Sequence, residues 1–248
     1  MRSIRTAVPQ VVFEDDDILV VDKPGGMVCH SAQRPEYESL ADWLRDHGVE
    51  TPRMINRLDR ETSGLVIVAK NERAAKNLGK AVLRREIEKQ YLAVCWGDFE
   101  QEHGVIDQPI AISKGAVVYT KRVVDLVAGK PSVTEFEVEK KLSGFTVVRL
   151  KPRTGRAHQV RVHLAWLGHP IVGDKVYGPD ERWYLQFIEN GVTDEMLSKL
   201  LLPRQALHAE SVSFRHPRTQ QPCTFGARLP DDLRAFIDEH GLPRRGRG

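Results

Sequence analysis

The sequence is poor in the features that usually place a protein quickly. It holds three cysteines, Cys29, Cys95 and Cys223, far apart and never as a Cys-x-x-Cys pair. An odd, scattered set excludes a disulfide framework and reads as reduced thiols in a cytoplasmic protein. No apolar run comes near the roughly 20 residues a spanning helix needs. The opening MRSIRTAVPQ has no apolar core, so no secretory leader and no membrane partner are expected. There is no Walker-type phosphate loop, no Gly-x-Gly-x-x-Gly after a strand and no Gly-x-Ser-x-Gly elbow. These absences weigh against NTPases, dinucleotide enzymes and the common hydrolases. His158 and His163 lie five apart, off one helix face and with no cysteine near, so zinc is not expected. No internal repeat and no low-complexity linker is present.

What remains is ordinary in bulk and uneven in detail. Apolar residues make up 41% and charged residues 29% of 248, as in a globular protein with one large or two small domains. The formal charge is only +3, yet the cations cluster. Phe145 to Gly173 contains no Asp or Glu but carries Arg149, Lys151, Arg153, Arg156 and Arg161. Lys70 to Lys89 has seven basic residues against three acidic ones, and the chain ends in an Arg/Gly tail at about 243–248. Local basic density under a near-neutral total points to a face that binds a polyanion. For the long helix and the tail, a solvated surface explains the charge equally well.

The pattern along the chain mixes strands and helices. VVFEDDDILVVDKP reads as strand, acidic turn and strand, stopped at Pro24-Gly25-Gly26. Leu40, Trp43, Leu44 and His47 have helical spacing, with Gly48 as the stop. Gly64 to Ala69 reads as a buried strand, and Asn71 caps a helix reaching about Ile87. Further strands are expected in KQYLAVCWG, Ser132 to Glu139 and Phe145 to Lys151, and a helix over Ala157 to Leu167. Residues 179–205 read as an insertion with short helices. A strand pair (Ser211 to Phe214, Cys223 to Ala227) and a helix from Pro230 close the chain. The expected class is α+β: a mixed, largely antiparallel sheet with flanking helices, in one domain over 1–248.

Two segments carry chemistry. In RLDRETSG, Asp59 stands near Arg57 and Arg60, and no helix follows for it to cap. Neighbouring guanidiniums favour the ionised carboxylate, which makes Asp59 a candidate nucleophile or base. In KPRTGRAHQVRVHLAW, Gly155 is expected to turn the chain into a helix. Arg156, His158, Gln159 and Arg161 then offer donors near its N-terminus, a suitable anion site. Tyr91 in EKQYLAV reads by itself as a packing residue. His169 before Pro170 reads as structural.

Together these stretches resemble the RluA-type pseudouridine synthases. EDDDILVVDKPGGMVCH is similar to that family's opening strand pair, and NRLDRETSGLVIVAK to its catalytic motif. KQYLAV is similar to its tyrosine strand, TGRAHQVRVHLAWLGHPIVGD to its basic motif and LHAESVSFRHPRT to its closing segment. The resemblance implies a pseudouridine synthase catalytic fold that isomerises particular uridines in RNA, ribosomal or transfer, without metal or cofactor. It implies Asp59 as the catalytic aspartate, Tyr91 against the target base and Arg161 as the partner of Asp59. It implies Arg57 as the residue that fills the gap left by a flipped nucleotide. Arg60, Arg153, Arg156, His158 and Gln159 are the further candidate RNA contacts. The chain departs from the family at Asn56, where His is common, and at Ala157, where Thr or Ser is common. No S4-type domain is expected ahead of the catalytic strands, and the protein is expected to be a monomer. Two competing readings are a non-catalytic RNA-binding or assembly factor on the same fold, and an N-glycosidase using Glu61 as its second acid. Intact Asp59, Tyr91 and Arg161 argue against the first.

Overall fold

The structure, a computed structural model, describes residues 8–30 and 39–242. The basic tail lies outside the described residues. The elements in order are β1 (Gln10–Glu14), β2 (Ile18–Lys23), α1 (Leu40–Asp46), β3 (Arg53–Met54), β4 (Ser63–Ala69), α2 (Glu72–Leu83) and β5 (Glu88–Trp96). There follow β6 (His103–Asp107), β7 (Ile110–Ile112), β8 (Arg122–Val124), β9 (Val133–Lys141), β10 (Phe145–Pro152) and α3 (Gln159–Trp166). The chain closes with α4 (Arg182–Asn190), α5 (Asp194–Leu200), β11 (Leu207–Arg215), β12 (Pro222–Gly226) and α6 (Asp231–Glu239). Among the described residues, no helix is long and apolar enough to cross a membrane.

The chain divides into two compact units: Met1–Tyr91 with Leu207–Arg228, and Leu92–Ala206 with Leu229–Gly248. In the first, the strand order is β1-β2-β4-β11, with β12 paired to β11 and β3 to β4. Within these pairings the strands run antiparallel except β4 with β11, where His208 faces Ser63 and Ala209 faces Gly64. Residues 18–21 of β2 and 65–69 of β4 are continuous apolar runs because both their faces are covered. Leu19, Val21, Val66 and Val68 pack with Leu40 and Leu44 of α1, and with Met27, Cys29 and Leu58. Ile18, Val20, Leu65 and Ile67 pack on the other face with Ala74 and Leu78 of α2 and Val212 and Phe214 of β11.

In the second unit β9 lies between β10 and β6, antiparallel to both, and β7 pairs with β8 as a separate hairpin. Val162 of α3 packs with Ile110, Val118, Val176 and Tyr177. Residues 179–205 do carry two short helices, α4 and α5. The strands β3, β6, β7 and β8 have no counterpart in the sequence reading. Each is short, and Val105 and Ile112 face solvent, so the alternation that marks a half-buried strand is missing.

Two boundaries differ from expectation. α2 is capped by Asn71, whose side chain accepts from the Ala74 N–H, but it stops at Leu83 rather than Ile87. Arg85 adopts φ 59°, which breaks the helical path. The turn into α3 is made not by Gly155 but by His158, at φ 59° in the left-handed region.

Gly64 is the tightest point of the first unit. Its φ of 112° disfavours any side chain, and a Cβ there would overlap the Ala209 backbone. Gly64→Ala is expected to destabilise the protein by about 3 kcal/mol or more, since strain and a backbone clash add. Thermal or urea unfolding measures this, and an unchanged midpoint would contradict the close β4–β11 approach.

Candidate active site

In the first unit the segment from Ile55 to Thr62 is fixed from several sides before β4 begins. Asn56 stands in for a strand residue: its amide donates to the Leu65 carbonyl at 3.0 Å and accepts from the Ile67 N–H at 2.8 Å. The departure at Asn56 therefore serves the fold. The Leu58 peptide is bracketed by Cys29, whose Sγ lies 3.4 Å from both its N–H and its carbonyl oxygen. Beyond Asp59, the Arg60 carbonyl accepts from the Gly26 N–H at 2.8 Å, and Arg60 Nε donates back to the Gly26 carbonyl at 3.1 Å. Lys23, 0% exposed, donates its ammonium to the carbonyls of Pro24, Met27 and Arg60. The Thr62 N–H closes the turn on the Asp59 carbonyl at 3.1 Å.

This scaffold holds Asp59 half-buried, with Arg57 exposed beside it. Tyr91 of β5 packs against the same core cluster as Leu58 and Cys29. Burial pushes the Tyr91 phenol well above its ordinary pKa, and the charge of Asp59 adds to the shift. The structure thus brings Asp59 and Tyr91 together within one unit, although they stand 32 positions apart in the sequence. Tyr91 stays a neutral phenol at all working pH values.

In the second unit Arg161 and Asp174 form a two-pronged ion pair. Arg161 Nε and one terminal nitrogen donate to the two Asp174 oxygens at 2.6 and 2.8 Å. Both are buried, at 6% and 0% exposure. Burial alone would raise the Asp174 carboxyl, but Arg161 and the N–H groups of Tyr177 and Val176 hold it below its ordinary value. The Arg161 guanidinium also lies 4.9 Å from the centre of the Tyr177 ring. The Tyr177 hydroxyl accepts from the Arg122 N–H and so donates to His158 Nδ1, both at 2.8 Å. His158 is thereby oriented by a phenol.

Gln159 is buried and works inward. It accepts from the Thr154 hydroxyl and the Arg156 N–H, and donates to the Val133 carbonyl and the Thr134 hydroxyl. His163 Nε2 donates to the Gln108 carbonyl at 3.0 Å while Nδ1 accepts from Thr134, and burial lowers its pKa, so it is a neutral core residue. The basic stretch is not bare in three dimensions. Arg153 grips Glu135 with two hydrogen bonds at 2.7 and 2.8 Å, and Arg149 meets Glu139 at 3.3 Å, both acids on β9. Arg156 is exposed, with Nε on the Pro131 carbonyl at 3.3 Å. His169 bonds the Trp96 carbonyl and stacks on Phe99, a structural place as expected.

Among the described residues one acidic–histidine group has metal-like spacing: Asp15, Asp17 and His216. Its ligand atoms are engaged. His216 Nδ1 accepts from the N–H groups of Arg218 and Thr219, so Nε2 carries the proton given to Asp15 at 2.8 Å. Arg73 and Arg218 contact Asp17 at 3.3 and 2.7 Å. Two guanidiniums take the place of a cation.

Residues 17–166 match the model of the RNA pseudouridylate synthase family. The chain is 38% identical to ribosomal large subunit pseudouridine synthase D of Vibrio parahaemolyticus, over 94% of this chain and 73% of that one. The chain belongs to the RNA pseudouridylate synthase family. It is an RNA-binding enzyme that isomerises uridine to pseudouridine. Among solved structures, human RNA pseudouridylate synthase domain containing 1 is 26% identical, with a TM-score of 0.68 over 98% of this chain and 100% of that one. Human RNA pseudouridylate synthase domain containing 4 shares the fold at 22% identity and a TM-score of 0.72, over 94% of each chain. The expected class, a mixed and largely antiparallel sheet with flanking helices, is the one observed.

Sequence reasoning missed Asp174, Lys23 and Cys29. Each has a partner 13 to 37 residues away, outside any local pattern. Removing one member of the Asp174–Arg161 pair leaves a buried charge, which costs about 3–5 kcal/mol. Asp174→Leu and Arg161→Met should each destabilise the synthase by that order. The double variant should lose clearly less than the sum, measured by urea unfolding. Additive losses would show that the two side chains do not act as one unit.

Proposed function

We propose that the synthase modifies large-subunit ribosomal RNA, with Asp59 as the catalytic carboxylate and Tyr91 packed against the target base. The observation that carries this reading is the coupling of Asp59 to Tyr91 on a backbone clamped by Lys23, Gly26 and Cys29. Isomerisation breaks the C1′–N1 bond, turns the uracil and joins C5 to C1′, with no change in mass. A stacked nucleotide must leave its helix first, at a cost of roughly a few kcal/mol. Stacking on the Tyr91 ring returns about 1–3 kcal/mol. Arg57, exposed next to the catalytic residue, fills the vacated place in the helix. Arg161, fixed in orientation by Asp174, is assigned as the cation of the reaction.

Arg60, Arg153, Arg156 and His158 are assigned to the RNA backbone. The exposed Arg153–Glu135 pair has a small net strength, so a phosphate can displace the glutamate. Gln159 acts by shaping the loop that presents Arg156 and His158. The ribosomal assignment follows the likeness to the Vibrio relative, a ribosomal large subunit pseudouridine synthase. The family match at 17–166 includes residues of both units, which supports treating 1–248 as one catalytic domain. We place the reaction in the cytoplasm, which suits the free thiols Cys29, Cys95 and Cys223, and expect a monomer.

The test uses unmodified large-subunit ribosomal RNA and a pool of transfer RNA transcripts. Wild-type protein should form pseudouridine at defined sites in the ribosomal RNA. Asp59→Asn should fold and bind that RNA, yet lose turnover by more than about a thousandfold. Turnover by Asp59→Ala would remove the catalytic assignment, and modification of transfer RNA alone would remove the ribosomal one.

A further inference from the structure

Lys89 stands two residues before Tyr91 on β5. Residues i and i+2 of a strand share a face and lie roughly 7 Å apart. Lys89 therefore lies along the same side of the strand as the ring that packs beside Leu58 and Cys29. It is half-buried, yet among the described residues its ammonium has no hydrogen bond and no ion pair. Burial alone pushes its ammonium below the ordinary lysine pKa, with no carboxylate offsetting the effect.

The other buried and half-buried lysines differ. Lys23 and Lys175 donate to main-chain carbonyls, Lys70 meets Glu14 at 2.7 Å and Lys121 meets Glu181 at 3.1 Å. A desolvated cation without a partner costs stability. Keeping one beside a base-stacking ring is economical only if an anion arrives from outside. Single-stranded nucleic acid brings that anion: bases stack on aromatic rings while cations alongside track the backbone.

We propose that Lys89 binds the backbone phosphate adjoining the uridine held against Tyr91. The proposal rests on the reading of Tyr91 as the base-packing residue. The lysine and the tyrosine then form one grip, in which the ring takes the base and the ammonium anchors the backbone of the same nucleotide.

The experiment measures affinity for an unmodified large-subunit ribosomal RNA transcript over a range of salt concentrations. Loss of one phosphate contact should flatten the plot of log affinity against log salt by about one. Lys89→Met is expected to show that smaller slope and about tenfold weaker binding at low salt, whereas Lys89→Arg keeps both. Turnover at saturating RNA should fall less than affinity. A wild-type slope in Lys89→Met overturns the proposal, because the side chain then only lays its methylenes along the sheet. Wild-type protein supplies a second readout, independent of folding defects in a variant. An amine-acylating reagent followed by peptide mass spectrometry should label Lys89 in the free enzyme and not in the RNA complex. Equal labelling in both states also overturns the proposal. These readouts depend on binding, so wild-type protein that forms no pseudouridine in this transcript contradicts the substrate assignment and leaves the Lys89 result standing.

Discussion

A single buried ammonium ties the segment around Asp59, proposed as catalytic, to the strand pair that opens the fold. Lys23 closes β2, and its Nζ reaches the carbonyls of Pro24, Met27 and Arg60. A fully buried lysine is tolerable only when polar groups replace its water, and three carbonyl dipoles do so here. The same contacts fix the Pro24–Met27 turn and the residue after Asp59. Cys29 fixes the residue before it. The main chain at Asp59 therefore has little freedom even though it sits outside regular structure. Such rigidity is what a reaction needs when a base must be detached and rejoined in a new orientation.

The second unit follows the same logic with a different bond. Arg161 is buried, which would be costly for a lone guanidinium, and Asp174 matches its fork with two oxygens. The Tyr177 ring beside it and the Tyr177 hydroxyl on His158 extend that order to the start of α3. A cation held this way acts as a fixed charge. Fixed charges stabilise a transition state without reorganising during the reaction.

Much of this was legible in the sequence. The continuous apolar run from Gly64 to Ala69 announced β4 as a buried strand, and Asn71 marked the start of α2. The arginines around Asp59 and the tyrosine strand pointed to the residues that the first unit couples. The rest depends on contacts between distant positions. Asp174 looked like one acid among many until folding placed it on Arg161. Gly155 was the obvious turn residue, yet His158 takes the left-handed conformation because its ring is held by Tyr177. The acid-free run from Phe145 to Gly173 suggested bare cations, but strand pairing brings Glu135 and Glu139 of β9 within reach of Arg153 and Arg149.

The central proposal is that Asp59 and Arg161 serve one reaction, as its carboxylate and its fixed cation. Turnover and RNA affinity of wild type, Arg161→Lys and Arg161→Met test it most directly. An ammonium keeps the charge but not the two-pronged grip on Asp174, so activity should fall from wild type to lysine to methionine. RNA affinity should fall much less than turnover. Affinity lost in full proportion to rate would make Arg161 a phosphate contact and contradict the account.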